Sequence, residues 1–172
     1  MVARIFSWFE FIKIGHTVFA LPFCLISAIL AMRDFAWSWR QMAWIVSAFV
    51  FARAFAMAMN RILDRRYDAL NPRTSGRHLP AGSISLSGAA WFALICGIAF
   101  AHSAVTLNLL CGFLSVPALG YLALYSYTKR FTQWSHLVLG GGLAMAPVGA
   151  ELAVLGTVSI LAQALAAAVV FW

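Results

Sequence analysis

The sequence predicts an all-α protein, a polytopic bundle of transmembrane helices. Three observations carry this. The 172 residues are 63% hydrophobic and 10% charged, against about 45–50% and about 25% in a soluble domain. The apolar residues gather into runs of the length a bilayer demands, about 20 residues for a helix. The charges fall between these runs, and basic residues crowd alternate connections, the pattern that holds loops in the cytoplasm. The net charge of +7 therefore belongs to membrane topology and does not point to a nucleic-acid partner.

Taken in order, residues 1–13 interleave Phe6, Trp8, Phe9 and Phe11 with Arg4, Glu10 and Lys13. That suits a short helix at the membrane interface, aromatic side down. The first span runs from Ile14 to Met32, with Pro22 as a kink point. Arg33, Asp34, Trp37, Trp39 and Arg40 form an interfacial turn. The second span covers Met42 to Met59, and its helix continues past the membrane plane through Asp68. A loop from Ala69 to Ser83 carries Asn-Pro, Ser-Gly and Pro-Ala-Gly breakers. The third span covers Ile84 to Ser103, and the fourth Thr106 to Tyr127, with almost no loop between them. Lys129 and Arg130 head a second polar loop. The fifth span, His136 to Leu155, contains Gly140 to Gly142 and Pro147, residues that permit close packing or bending. A sixth apolar run begins near Gly156 and continues to Trp172.

Charge placement gives the orientation. Arg4 and Lys13, then Arg61, Arg65, Arg66, Arg73 and Arg77, then Lys129 and Arg130 lie on one side; Arg33, Arg40 and Glu151 lie on the other. The positive-inside rule puts the amino terminus and both polar loops in the cytoplasm, of a bacterial inner membrane. Cys24, Cys96 and Cys111 are isolated in apolar segments and read as small buried hydrophobes, with neither disulfide nor zinc spacing. No cleavable signal peptide is evident.

The stretch from Arg53 to Gly82 breaks the apolar pattern. It holds two of the five acidic residues and six of the twelve basic ones. Asn60, Asp64 and Asp68 recur every fourth position. Each such step turns a helix by only about 40° from a full circle, so the three form one stripe. Arg53, seven residues before Asn60, lies near the same line. Two carboxylates and an amide oxygen are hard ligands, and Mg²⁺ takes one or two protein carboxylates and completes its shell with water and phosphate oxygens. The surrounding arginines make sense if the ligand is a metal–phosphate complex. The competing reading is plain: Asp64 pairs with Arg61 or Arg65, and Asp68 with Arg65 or Arg66, as exposed ion pairs worth a few tenths of a kcal/mol each. Spacing alone leaves both open.

The continuation adds a resemblance. Asn60-x₃-Asp64-x₃-Asp68, then Arg73-Thr74, then Arg77-x-Leu79-Pro80-x-Gly82 resembles the first Asp-rich motif of the UbiA superfamily of intramembrane prenyltransferases. His78 stands where the family usually has Pro. Arg53 matches a family position. Tyr127-Thr128-Lys129-Arg130, the Gly140–Gly142 run, Ala146-Pro147 and Gly149-Ala150 look like the family's fourth and fifth helices. The segment Phe11 to Phe23, with Lys13, His16 and Pro22, resembles the first helix of the 4-hydroxybenzoate polyprenyltransferase branch.

The resemblance implies a nine-helix fold, of which this sequence supplies five spans and most of a sixth, and residues 1–172 as the amino-terminal part of one prenyltransferase domain. It implies an enzyme that moves a polyprenyl group from an allylic diphosphate to an aromatic acid acceptor of hydroxybenzoate or dihydroxynaphthoate type, in ubiquinone or menaquinone synthesis, with Mg²⁺ as cofactor. Asn60, Asp64 and Asp68 would face the metal. Arg73, Arg77 and Lys129 would bind diphosphate, with Asp64, Asp68 and Lys129 as the catalytic set. Arg53 would sit near the diphosphate or the acceptor. Lys13 and His16 would hold the acceptor's carboxylate, though His16 also reads as a helix-packing residue. The family's second Asp-rich motif, in the loop after the sixth helix, lies beyond Trp172, so the chain is expected to be truncated and to hold half of the metal site. Haem or chlorophyll prenylation, or a non-catalytic membrane protein, are the alternatives.

Overall fold

The computed structural model describes residues 2–33, 37–128 and 130–171, with the side chains of residues 2–5, 16 and 19 outside that description. The described residues form seven helices: α1 (Val2–Phe11), α2 (Ile14–Met32), α3 (Trp39–Leu70), α4 (Leu86–Leu107), α5 (Leu109–Thr128), α6 (Ser135–Leu155) and α7 (Ile160–Phe171). The predicted spans correspond to α2 through α7. Among the described residues α3, α4, α5 and α6 are long and apolar enough to cross a membrane, and shorter apolar helices occupy Ala20–Met32 and Ile160–Phe171. The protein is an all-α integral membrane bundle.

α3 is the central element, packing against α2, α4, α5 and α6. Its 32 residues extend about 48 Å at 1.5 Å per residue, well beyond a hydrocarbon core of about 30 Å. The excess is its polar end. Ser38 starts the helix by accepting a hydrogen bond from the Gln41 N–H at 3.3 Å, and Asn71-Pro72 stops it, because a residue before proline is driven from helical geometry. Ser85 caps α4 through Gly88 N–H at 3.1 Å, which explains why this helix starts at Leu86 and not at the predicted Ile84.

α1 differs from the expected helix with its aromatics facing one way. Phe6 and Phe9 are exposed, but Phe11 is fully buried. Trp8 stacks on Phe92 of α4 with ring centroids 4.9 Å apart. Phe11 also presents an edge to His78 in the loop after α3. The aromatic residues thus divide between the bundle and the outside.

α6 meets α7 at Gly140, where an added Cβ would lie 2.5 Å from the Val170 carbonyl oxygen. Gly141 faces the Tyr121 hydroxyl, which donates to Val138 O at 2.8 Å. The glycine run does what its composition predicted: it lets backbones approach. The end of α6 is held from outside: Gln41 Nε2 of α3 reaches Ala153 O at 2.8 Å, and Asn108 Nδ2, between α4 and α5, reaches Leu152 O at 2.9 Å. Glu151, read from sequence as a connection charge, is buried within α6 and accepts from the N–H and the hydroxyl of Ser159, each at 2.7 Å.

Candidate active site

The helix stop after Leu70 begins the site. Asn71 Oδ1 accepts from Arg73 N–H at 3.0 Å, an Asx turn. Thr74 Oγ1 donates back to Asp68 O at 3.0 Å. Further turns join Arg77 N–H to Thr74 O and Ala81 N–H to Arg77 O, and Gly82 adopts φ +72°, a conformation glycine takes without strain. The chain thereby folds back on the end of α3. Arg77 Nη1 donates to Asp68 Oδ1 at 2.7 Å. Asp68 is therefore paired nine residues ahead, and not with Arg65 or Arg66 as the ion-pair reading had it. Arg65 Nη1 is directed to Ile62 O.

Beside this pair lies an elongated cavity of about 790 Å³ between α2, α3, α4, α5 and α6. Ile45 and Arg61, both in its wall, are sixteen positions apart on α3, or roughly 24 Å along its axis. Ile45, Ala48, Phe49 and Ala52 form the apolar stretch of that wall, and Arg53, Asn60 and Arg61 the polar stretch. Lys13, Arg77 and Tyr125 also line the cavity. Lys13 sits at the α1–α2 corner with φ +51°, a left-handed backbone sparsely populated by non-glycine residues. Four cationic side chains thus face one largely apolar chamber, an arrangement that calls for an anion. Buried Arg53 Nε has no hydrogen-bond partner, as a group waiting for one would.

Asn60, Asp64 and Asp68 form the predicted stripe, with Asn60 and Asp68 buried and Asp64 half-buried. Asn60 Nδ2 donates to Ser126 Oγ of α5 at 3.2 Å. Arg73 is exposed and does not appear among the cavity-lining side chains. Lys129 and the His16 side chain lie outside the described residues. Sequence reasoning overlooked Arg61, buried and in the cavity wall, and Tyr121 and Tyr125. The signal for Arg61 was its place one residue after Asn60; beyond Arg61 no described α3 residue borders the chamber, and Asp64 and Asp68 lie outside its wall.

Whether the stripe suits Mg²⁺ turns on its oxygens. Asp68 Oδ2 is buried without a hydrogen-bond partner, a costly state for a carboxylate oxygen unless an ion or water completes it. The set of two carboxylates and an amide is all oxygen, and among the described residues no cluster of three His, Cys, Asp or Glu forms a closed metal cage. That fits a cation sharing its shell with water and phosphate. The donors span about 12 Å of helix from Asn60 to Asp68, so a single ion would meet only neighbouring members of the stripe, with water and phosphate completing its shell.

Comparison with known proteins extends the picture. A protoheme IX farnesyltransferase of Methylococcus capsulatus is 35% identical over 137 residues, covering 78% of this chain and 44% of that protein. A 4-hydroxybenzoate octaprenyltransferase of Edwardsiella ictaluri is 40% identical over 91 residues, covering 52% of this chain and 31% of that protein. The chain spans less than half the length of these relatives. A solved apo structure of a UbiA homolog from Aeropyrum pernix superposes with a TM-score of 0.82 at 31% identity, covering 92% of this chain and 60% of that one. A digeranylgeranylglyceryl phosphate synthase, at 18% identity, shares the fold with a TM-score of 0.84. The model of the UbiA prenyltransferase family matches residues 20–172, a stretch that includes the stripe, the folded-back loop and the cavity wall apart from Lys13, and the chain belongs to that family.

Proposed function

We propose that this chain binds the diphosphate and prenyl tail of an allylic substrate in a membrane prenyltransferase that alkylates an aromatic acid of hydroxybenzoate or dihydroxynaphthoate type. Residues 1–172 are read as one domain, with the stripe on the cytoplasmic face of a bacterial inner membrane. The observation that carries the proposal is the two-part chamber: an apolar wall along α3, and a cationic end tied to Asp68 through Arg77. Such a chamber suits a molecule with an anionic head and a hydrocarbon tail.

The roles combine the family resemblance with the placement of those residues that border the chamber. Arg77 and Arg61 attract the diphosphate, joined by Lys129 and Arg73 from the loops. Asp68 orients Arg77 by holding one arm of its guanidinium. Asn60, Asp64 and the second oxygen of Asp68 would face the Mg²⁺–diphosphate complex, in which Mg²⁺ would neutralise charge on the departing diphosphate. Arg53 and Lys13, with His16, receive the acceptor's carboxylate. The apolar wall from Ile45 to Ala52 keeps water from a carbocation-like prenyl group, which would otherwise be hydrolysed.

A second reading, prenylation of haem, is favoured by the similarity to the Methylococcus farnesyltransferase. Membranes containing the protein should be incubated with geranyl or farnesyl diphosphate and, in turn, 4-hydroxybenzoate, 1,4-dihydroxy-2-naphthoate and haem. A prenylated aromatic acid is the expected product. Prenylated haem alone would establish the second reading, and failure of the protein to bind a radiolabelled allylic diphosphate would overturn both.

A further inference from the structure

Asn60 is a buried polar residue that follows the mostly apolar run over residues 54–59 of α3. A carboxamide so placed is costly unless hydrogen-bonded, and its two arms are not equivalent. The N–H₂ arm only donates and the oxygen arm only accepts. Asn60 Nδ2 meets Ser126 Oγ at 3.2 Å. Ser126 is fully buried in the last turns of α5, between Tyr125 in the cavity wall and Tyr127. With the nitrogen engaged toward α5, the other arm, Oδ1, diverges from that contact. Asn60 itself borders the chamber that Arg53, Arg61 and Arg77 line. Reversing the amide would turn its N–H toward the chamber those guanidinium groups line. The cationic chamber and the serine therefore favour the same orientation.

We propose that Ser126 is a positioning residue for Asn60: by accepting the hydrogen bond from Nδ2 it sets the carboxamide with its oxygen available to the divalent cation that accompanies a diphosphate. The inference rests on the metal–diphosphate reading of the α3 stripe given above. It adds a residue on a different helix, which couples cation affinity to the seating of α5 against α3. Outer partners that orient a metal ligand commonly change affinity 10- to 100-fold when removed.

The test is Mn²⁺ binding, followed by the electron paramagnetic resonance of free Mn²⁺, to the purified protein in detergent with inorganic pyrophosphate present. Four proteins are compared with the parent: Ser126→Ala, Ser126→Thr, Asn60→Ala, and the Asn60→Ala/Ser126→Ala double variant. Ser126→Ala should weaken Mn²⁺ binding about tenfold, and Ser126→Thr, which keeps the hydroxyl, should lie nearer the parent than Ser126→Ala. Asn60→Ala should weaken binding at least as much, and adding Ser126→Ala to it should change nothing further. Parent-like binding by Ser126→Ala, beside weakened Asn60→Ala, overturns the role of Ser126 and leaves the stripe reading intact. An equal extra loss in the double variant also overturns it, because the serine would then act on the fold at large. Parent-like binding by Asn60→Ala removes the stripe reading and this inference together.

Discussion

Arg77 Nη1 lies 2.7 Å from Asp68 Oδ1, nine residues back along the chain. The pair closes the loop after α3 onto that helix, and it sets an arginine from a connection into the wall of a chamber formed by helices. The Asp68 carboxylate is largely shielded while Arg77 is about one-third exposed, so solvent screens only one partner well. An exposed pair would contribute little; this one fixes direction, holding a cation in the chamber wall where the proposed diphosphate would sit.

Replacing Arg77 by Ala removes that cation and leaves Asp68 without its partner. A hydrogen bond to a charged group is worth about 1.5–3 kcal/mol, which corresponds to roughly a 10- to 100-fold fall in kcat/KM for prenyl transfer. Steady-state kinetics with varied allylic diphosphate will measure it. Arg77→Lys should recover part of the loss, since lysine restores charge without the forked geometry. Full activity in Arg77→Ala would remove this residue from the diphosphate site.

Chelation should stop turnover. With EDTA in excess, prenyl transfer is expected to fall to background and to return on adding Mg²⁺. Ca²⁺ should restore it poorly, because it is larger, takes more ligands and prefers looser geometry. The assay is product formation against free cation concentration. Activity indifferent to EDTA would set aside the metal role of Asn60, Asp64 and Asp68.

Ala52 lines the apolar stretch of the chamber next to Arg53. Ala52→Phe places a ring in the path of a prenyl tail. The variant should keep geranyl diphosphate as substrate while losing longer diphosphates about 5- to 150-fold in kcat/KM, since overpacking costs about 1–3 kcal/mol. Competition between short and long donors in one membrane preparation, resolved by mass spectrometry, reads the ratio directly. An unchanged ratio would mean that the tail runs elsewhere.

The spans and the stripe were legible because each is a local signal. Apolar length fixed α2 through α6 to within a few residues, and the four-residue period of Asn60, Asp64 and Asp68 fixed their common face. The partner of Asp68 was not legible. Arg65 and Arg66 are nearer in sequence, and only the turns from Asn71 to Gly82 bring Arg77 round. Likewise Ser126 offers no sign of its contact with Asn60, which depends on how α5 seats against α3. Glu151 does lie near the end of its predicted span, but its partner was not legible for a related reason. A carboxylate near a predicted span end looks like a connection charge, whereas here it turns inward to Ser159 at the start of α7.

That inward carboxylate gives a stability prediction. Glu151→Ala would strand the Ser159 hydroxyl and N–H, each now bonded at 2.7 Å. Losing partners of a buried charged group costs about 1.5–3 kcal/mol, so the detergent-solubilised protein should melt several degrees lower. Any activity loss should track that instability and vanish at low temperature, because Glu151 does not border the chamber. A thermal scan with a thiol-reactive dye, which reports Cys24 and Cys96 as they become exposed from their buried positions, provides the reading.

Two glycines separate packing from mere flexibility. At Gly140 an added Cβ would sit 2.5 Å from Val170 O and 2.9 Å from Val170 Cα, backbone against backbone, whereas at Gly120 it would meet nothing within 4 Å. Backbone cannot swing aside as a side chain can, so Gly140→Ala must push α7 from α6. Overpacking of this kind costs about 1–3 kcal/mol. Gly120→Ala, on the exposed side of α5, should be neutral or stabilising by up to about 1 kcal/mol, since alanine is the better helix former. Thermal melting of both variants beside the parent tests the contrast. If Gly140→Ala melts with the parent, the α6–α7 contact is looser than Gly140 and Val170 indicate, and the glycine run must be explained by something other than close helix approach.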